Sequence, residues 1–466
     1  MWTGARQRAS LSSALVALLL VAPSVARAAG FDGTQNLDVF EGPVVATGRI
    51  TGLGGAFTAV AEGQDGEPFN VASLAQRDRD LDQPWNWDFV LGVSVPTGTT
   101  LTTQDFDNDG VPDIDLTSRR SFQLGLSLQI RRFGLGLLVQ NVSRRAAFGK
   151  QDALSVDVQD ASLGAAYAFL DETLILGAEL VLGNAVVQKH DSPDAEVPGP
   201  VAQVAYAGLR PRLGLLWRPR DSSFRVGAHI DVGQTARVTD RRPLEGVVLL
   251  PTSASIPAVY RLGISRWLGP NSTHYNDPSP QRVREEAALP EEKRRKFFEG
   301  MGPDRVKTPW KPVLIAADLV IIASSPNAVS VGGYLRQGGD ADPVRAGAGF
   351  NIALHAGAEW EAVPSWVVIR GGSYLEPSRY GALPRPHATF GMEVKLPFWP
   401  IDLRLALAGD VAPRLENISF SIAPWRSFGP RDEVSPAEPA PPPPKPAAPQ
   451  PIGPIIGAPP PAPPQR

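Results

Sequence analysis

The sequence contains no cysteine, and this absence excludes several classes of protein. Disulfide scaffolds, thiolate metal sites and cysteine nucleophiles all need thiols. Clustered positive charge is also missing, since 45 Lys and Arg nearly balance 48 Asp and Glu and leave a net charge of −3. Binding to nucleic acid relies on Lys and Arg clustered against phosphates. We therefore expect no nucleic-acid partner.

Long apolar runs are missing after the N-terminal leader. Arg6 and Arg8 precede an apolar run over 11–22, and an A-x-A cleavage site follows at 26–28. These features predict a cleaved signal peptide over 1–28, because the run is too short for a spanning helix. No later stretch of about 18 apolar residues exists, so a chain that resides in a membrane must cross it as a closed β-barrel.

Catalytic motifs are absent as well. The sequence has no G-x-S-x-G, no H-E-x-x-H and no Walker loop, and its five histidines show no metal-ligand spacing. We expect no enzymatic activity and no catalytic residue.

The sequence does contain a repeated strand period. In the segment 122–130, Phe122, Leu124 and Leu126 alternate with Gln, Gly and Ser, and similar segments recur up to Trp425. Because successive side chains of a strand point to opposite faces, each segment has one apolar and one polar face. Fourteen candidate strands, roughly ten residues long as a tilted span requires, are 87–95, 120–130, 133–143, 154–169, 174–187, 203–217, 224–238, 256–268, 313–323, 348–361, 366–376, 387–396, 401–410 and 417–425.

The number and length of these strands, behind a secretory leader, favour a barrel over a soluble sandwich. We predict an all-β, transmembrane antiparallel β-barrel of about 14 strands over 87–425, in the cell outer membrane and surrounded by its lipid. Short connections such as 131–132 and 170–173 alternate with longer ones. In outer-membrane barrels the short turns lie on the periplasmic side and the long loops lie outside the cell, so we expect this orientation here. Trp425 after the last strand resembles a closing-strand signal for the barrel-assembly machinery.

Two polar segments do not fit the strand pattern. The insert 269–312 falls where a short periplasmic turn is due and is rich in helix formers and charges of both signs. It is either a solvated helical excursion or, through 278–300, a docking surface for a periplasmic protein. The tail 426–466 is rich in proline and alanine, which predicts a disordered spacer that emerges on the same side. In the docking alternative, the tail would bind the periplasmic protein together with 278–300.

The sharpest local motif is an acidic loop that begins at Asp105. Its D-x-D-x-D-G-x-x-D pattern resembles the calcium loops of thrombospondin type 3 and dockerin-like repeats, although position 12 is Leu116 rather than an acid. The alternative is a merely acidic loop. We predict a structural Ca²⁺ site and no other cofactor. Its ligands would be Asp105, Asp107, Asp109 and Asp113 through carboxylates and Val111 through its carbonyl oxygen.

Residues 48–63 read GRITGLGGAFTAVAEG, and 68–75 read PFNVASLA. They resemble the start of the FadL-type outer-membrane transport family, where a G-x-G-G-A-F-x-A-x-A-x-D stretch precedes N-P-A-x-L-A. Val71 stands in place of the proline. Residues 256–265, 357–360 and 368–374 resemble later strands of that family, and PorV-like sister barrels share its glycine-rich start.

This resemblance implies a 14-stranded barrel whose N-terminal segment, 29–86, folds into the lumen as a hatch rather than forming a short periplasmic lead-in. The hatch or gate residues carried over from the motif are Gly52, Gly54, Gly55, Ala56, Phe57, Asn70 and Ala72. The implied function is passive uptake of hydrophobic small molecules such as long-chain fatty acids, with substrate-binding residues unknown. The alternative is a structural or secretion and assembly-partner barrel that binds proteins in the periplasm and transports no solute.

Overall fold

The computed structural model describes the barrel and the segment that precedes it. Residues 1–28, most of the insert, and the tail 426–466 lie outside the described residues, as do Val111 and Asp113 of the acidic loop. The described residues are 35–40, 42–76, 85–97, 104–110, 112, 116–148, 152–190, 200–220, 222–242, 251–269, 272–276, 313–330, 345–363, 366–398 and 401–425.

The described strands include a closed ring of 14 antiparallel strands. They are β2 (Trp85–Pro96), β3 (Leu116–Ile130), β4 (Phe133–Phe148), β5 (Asp152–Phe169), β6 (Leu174–His190), β7 (Pro200–Trp217), β8 (Phe224–Asp231), β11 (Val259–Leu268), β12 (Val313–Ile322), β15 (Asn351–Val363), β16 (Val367–Glu376), β17 (Arg385–Leu396), β18 (Leu403–Ala412) and β19 (Leu415–Pro424). Neighbours in this order pair antiparallel, and β19 closes the ring on β2, with Ile418 opposite Val95. The predicted all-β, 14-stranded antiparallel barrel is therefore confirmed.

The alternation of side chains sets the two faces of the wall. On β3, Leu126 is 53% exposed on the outer face, whereas Gln123 is 6% exposed and faces the lumen. Exposed aromatic side chains, among them Trp85, Phe133 and Trp366, gather at the end where the 131–132 and 170–173 turns lie. We call this the short-turn end. An apolar outer face with such an aromatic belt is the surface that a bilayer solvates. Among the described residues, no helix is long and apolar enough to span a bilayer.

Several strand boundaries differ from the predicted ones. The predicted strand 224–238 is two strands, β8 and β9 (Gln234–Arg242), separated at Val232 and Gly233. The predicted strand 256–268 is β10 (Ser253–Ile256) and β11, separated at Pro257 and Ala258. Proline lacks the N–H that a ladder needs, and Pro257 lies at the break between β10 and β11. The predicted strand 348–361 is β15, which begins later than predicted, at Asn351.

Three short strands lie outside all predicted ranges: β1 (Asn36–Asp38), β13 (Ala328–Ser330) and β14 (Arg345–Ala346). The three-residue strand β1 (Asn36–Asp38) lies between β10 and β13 (Ala328–Ser330) and pairs in parallel with both. Leu37 and Val39 are buried against the inner wall near Val204 and Tyr206. The N-terminal part of the chain thus closes a gap between strands at the end of the barrel opposite the short turns.

Candidate functional site

Residues 42–76, which we call the luminal segment, lie inside the barrel and are almost wholly buried. The segment contains one short helix, α1 (Gly48–Gly52), and two 3₁₀ turns, Gln64–Gly66 and Val71–Ala75. Apolar residues such as Ile50, Leu53 and Val60 form its body and pack against wall residues including Leu314 and Val368. The segment therefore occupies the lumen in the short-turn half of the barrel.

The residues carried over from the family motif all lie in this segment. Gly54 and Gly55 adopt φ of 63° and 78°, which residues with a Cβ rarely adopt. The Phe57 N–H donates to the Asp318 carboxylate at 2.9 Å. The Asn70 amide donates to the carbonyl oxygens of Thr58 and Leu215, and its own oxygen accepts from the Ala72 N–H. Gly52 and Ala56 are buried beside them. A gating role for these residues stays a prediction.

Glycines in the wall allow the luminal segment to approach closely. At each of these positions an added Cβ would come within 3.0 Å of main-chain atoms of residues 53–74. They are Gly134, Gly177, Gly214, Gly227, Gly263, Gly357 and Gly372, which we call the glycine belt. The main chain of the segment thus touches the wall at distances that only glycine permits. A side chain on any belt residue would have to displace backbone, which is costly in a close-packed interior.

A chain of ion pairs also joins the segment to the wall. Its eight buried or part-buried groups alternate in sign in the order Arg225, Glu62, Arg49, Glu359, Arg370, Glu393, Arg404 and Asp65. We call this the ion-pair chain. The nitrogen–oxygen distances run from 2.5 Å for Arg370 with Glu359 to 3.5 Å for Arg404 with Glu393.

The ion-pair chain crosses between the luminal segment and the wall at three pairs, Arg225 with Glu62, Arg49 with Glu359 and Arg404 with Asp65, so it fixes one against the other. Arg49, Glu62 and Asp65 belong to the segment, and the other members project from strands. Burial alone would raise the pKa of the Glu62 carboxyl, but Arg49 and Arg225 outweigh it and lower that pKa to about 2. Glu62 therefore keeps its charge, which buried pairs need for their mutual attraction.

A cavity of about 200 Å³ lies beyond the luminal segment. Part of its lining is ionic: Arg212 pairs with Asp231 at 2.8 Å and with Asp160 at 3.1 Å. The rest includes apolar side chains from β1's continuation, the luminal segment and the wall, namely Val39, Phe40, Phe69, Val142, Val158, Ile256 and Val259. The cavity therefore offers an apolar surface beside fixed charges.

Arg261 differs from the other arginines of the lumen. It lines the cavity, and its guanidinium lies 5.0 Å from the centre of the Phe69 ring. Across the described ranges it makes no hydrogen bond and no ion pair. Asp231 and Asp318 attract it through space, but the first pairs with two arginines and the second accepts two backbone N–H groups. Its guanidinium donors therefore remain available to a molecule in the cavity.

The acidic loop is folded onto the barrel end opposite the short turns. Single carboxylate oxygens of Asp105, Asp107 and Asp109 lie within 4.8 Å of one another. The Asp105 carboxylate accepts hydrogen bonds from the N–H groups of Asp109 and Gly110. Phe106 is buried against Leu415. Burial raises the pKa of Asp105, Arg385 opposes this rise, and the charge of Asp109 adds to it.

We expect a weak calcium site in this loop, because three carboxylates this close repel one another unless a cation or proton intervenes. Titration of the full-length protein with Ca²⁺ in a calorimeter should give a Kd of roughly 10⁻⁴–10⁻³ M, as in extracellular calcium modules. Asp107→Asn combined with Asp109→Asn should abolish the signal. If chelation changes neither the melting temperature nor amide exchange at 104–110, the loop is merely acidic.

No protein-family model matches the chain, and no curated protein sequence matches it. Its fold is similar to those of solved channels. The CymD monoaromatic hydrocarbon channel superposes with a TM-score of 0.50 at 15% identity, over 83% of this chain and 98% of that one. A FadL homologue from Pseudomonas aeruginosa superposes at 0.48, with 12% identity over 84% and 100% of the two chains. The toluene transporter TodX from Pseudomonas putida gives 0.46, with 14% identity over 85% and 100%. The likeness to CymD shows a shared fold, so the resemblance inferred from sequence is confirmed as one of fold.

Proposed function

We propose that this protein is an outer-membrane channel for passive uptake of hydrophobic molecules, and that its ligands include acidic amphiphiles such as long-chain fatty acids. The observation that carries the proposal is Arg261, a cation without an ion-pair partner among the described residues, in a partly apolar cavity. CymD is a channel for monoaromatic hydrocarbons. A shared fold does not fix a substrate, so the argument rests on the cavity.

A half-buried guanidinium without an ion-pair partner is unfavourable, because water solvates the ion better than a partly apolar cavity does. A ligand carboxylate would supply the missing partner through charge-assisted hydrogen bonds. Val39, Phe40 and Val259 would contact the carbons next to that head group. The cavity is smaller than the roughly 300–1,000 Å³ of most ligand pockets, so it suits a head group and its first carbons rather than a whole chain.

We expect Arg261→Met to weaken binding of palmitate about 10–100-fold and to leave binding of the neutral 1-hexadecanol unchanged. A hydrogen bond to a charged group contributes roughly 1.5–3 kcal/mol, and about 1.4 kcal/mol corresponds to tenfold in Kd. Calorimetry of the detergent-solubilised protein measures both ligands. Arg266→Met is the matched control, because Arg266 lies on the same strand but faces outward. An equal loss for both ligands would show that Arg261 does not recognise the acidic group.

Channel function itself is tested by uptake of a labelled fatty acid into liposomes that contain the intact protein. Gly54→Trp should block or distort the path, because Gly54 has a φ of 63° and an added Cβ would lie 2.8 Å from the Ser373 nitrogen. No uptake by the intact protein would reject the channel. Co-purified proteins that disappear on deletion of 278–300 or 430–466 would then favour the alternative, a barrel that binds periplasmic partners.

A further inference from the structure

A five-residue turn at the short-turn end contacts the luminal segment from outside the strands. This turn, Ser272–Asn276, follows β11 and begins the long connection to β12; we call it the strap. Tyr275 and Asn276 are only 3% and 4% exposed. A polar connection at a barrel rim would normally be solvated, so burial of these two side chains requires specific partners.

Arg225 is the partner that joins the strap to the luminal segment. Its Nε donates to the Asn276 side-chain oxygen at 2.8 Å, and its guanidinium lies 3.6 Å from the centre of the Tyr275 ring. The same guanidinium donates through Nη1 to the Val60 carbonyl at 3.1 Å and to the Glu62 carboxylate at 2.9 Å. One side chain therefore holds both elements.

The strap makes further contacts on each side of Arg225. The Tyr275 hydroxyl donates to Glu62 Oε1 at 3.3 Å, and burial raises the pKa of Tyr275, so the hydroxyl keeps its proton. The Tyr275 ring packs edge-on against Trp267, with centroids 5.3 Å apart. The Asn276 amide donates to the carbonyl oxygens of Pro219 and Phe224, both at 2.9 Å. The strap is thus anchored to the wall while it holds Glu62.

We propose that the strap is a lock on the luminal segment, which holds it closed while docked and loosens it when released. Arg225 and Glu62 are the first two members of the ion-pair chain. Release of Tyr275 would admit water to this pair, and the attraction between charges falls steeply as the local dielectric rises. The contacts of Arg225 with Val60 and Glu62 would then hold the segment 57–62 less firmly.

The strap lies at the start of the connection 269–312, directly after β11. That the lock controls passage rests on the proposed channel function. The contact between the strap and the luminal segment does not depend on channel function, because docking of the strap can be measured without a solute. The two ideas can therefore fail separately.

Amide hydrogen exchange on the full-length protein in detergent tests the lock. Tyr275→Ala combined with Asn276→Ala should speed exchange at 57–66 about tenfold or more, while amides in the barrel strands stay protected. Tyr275→Phe keeps the ring over Arg225 and loses only the hydroxyl, so we expect a several-fold smaller effect. Tyr260→Ala is the control, since Tyr260 is 45% exposed on the outer face of β11.

Unchanged exchange at 57–66 in the double variant would overturn the proposal. Heat-modifiable migration on a gel checks that each variant has a folded barrel, and the Tyr275→Phe comparison remains informative if the double variant does not fold. In liposomes, the double variant should pass labelled fatty acid faster than the unaltered protein. Faster exchange without any transport by either protein would keep the lock and reject the channel.

Discussion

Replacing Gly357 by leucine is expected to displace the luminal segment while the barrel stays closed. A Cβ at Gly357 would lie 2.8 Å from the carbonyl carbon of Leu53 and 2.9 Å from its Cα. Leu53 is fully buried, and Gly54 and Gly55 follow it with positive φ, so this backbone has little freedom to move. Overpacking a well-packed interior costs about 1–3 kcal/mol and more where backbone must shift. A leucine at this site adds three further carbons to the same conflict.

The neighbouring strand provides a matched control for this prediction. Gly371 pairs across from Ala358, faces outward, and has no heavy atom within 4 Å of an added Cβ. Gly371→Leu should therefore leave the luminal segment in place. Limited proteolysis and amide exchange over 48–76 compare the two variants, and we expect strong loss of protection only in Gly357→Leu. Equal protection in both would mean that the segment tolerates a displaced position against the wall.

The two faces of the barrel were predictable because they follow from a period of two along each strand. Leu126 and Gln123 belong to opposite faces of one strand in the alternating pattern. As the pattern predicts, Leu126 is exposed on the outside and Gln123 is buried in the lumen. The same period predicts that Arg261 faces the lumen, since Tyr260 and Leu262 on either side of it face outward. The sequence alone does not distinguish Arg261 from other inward arginines, because the difference lies in the ion-pair partners that the others have.

Contacts distant in sequence were not predictable from a single chain. Glu359 and Arg370 lie in the two segments that resemble a late family hairpin, and they are direct cross-strand partners. Their link to Arg49, 310 residues away from Glu359, depends on how the luminal segment enters the barrel. The strand β1 escaped prediction for a related reason: three residues carry no readable period, and parallel pairing with distant strands leaves no local signal.

The glycine belt and the ion-pair chain hold the luminal segment by different physical means. The belt acts through shape, because it lets main chain approach main chain at seven positions around the wall. The ion-pair chain acts through charge, and each interior member has a group of opposite sign on both sides. Loss of one charge is therefore not a local event, because two neighbours each lose a partner.

Replacing Arg370 by methionine is expected to destabilise the docked segment by about 3–5 kcal/mol, the usual cost of removing one partner from a buried ion pair. Arg370 pairs with Glu359 at 2.5 Å and with Glu393 at 3.0 Å, and all three side chains are fully buried. Without the guanidinium, two carboxylates remain in a region with one cation too few. Amide exchange over 48–66 should show the loss, and thermal unfolding should shift downward with it.

Charge balance gives the decisive comparison for this prediction. Arg370→Met combined with Glu359→Gln removes one charge of each sign, so it should recover part of the lost protection even though it removes two partners instead of one. Arg132→Met is the surface control, because its pair with Asp171 is 39% and 58% exposed and exposed pairs contribute about 0–1 kcal/mol. Methionine keeps much of the apolar contact of the arginine side chain but none of its charge. If the double variant is no more protected than Arg370→Met, then packing around Arg370, and not its charge, holds the segment.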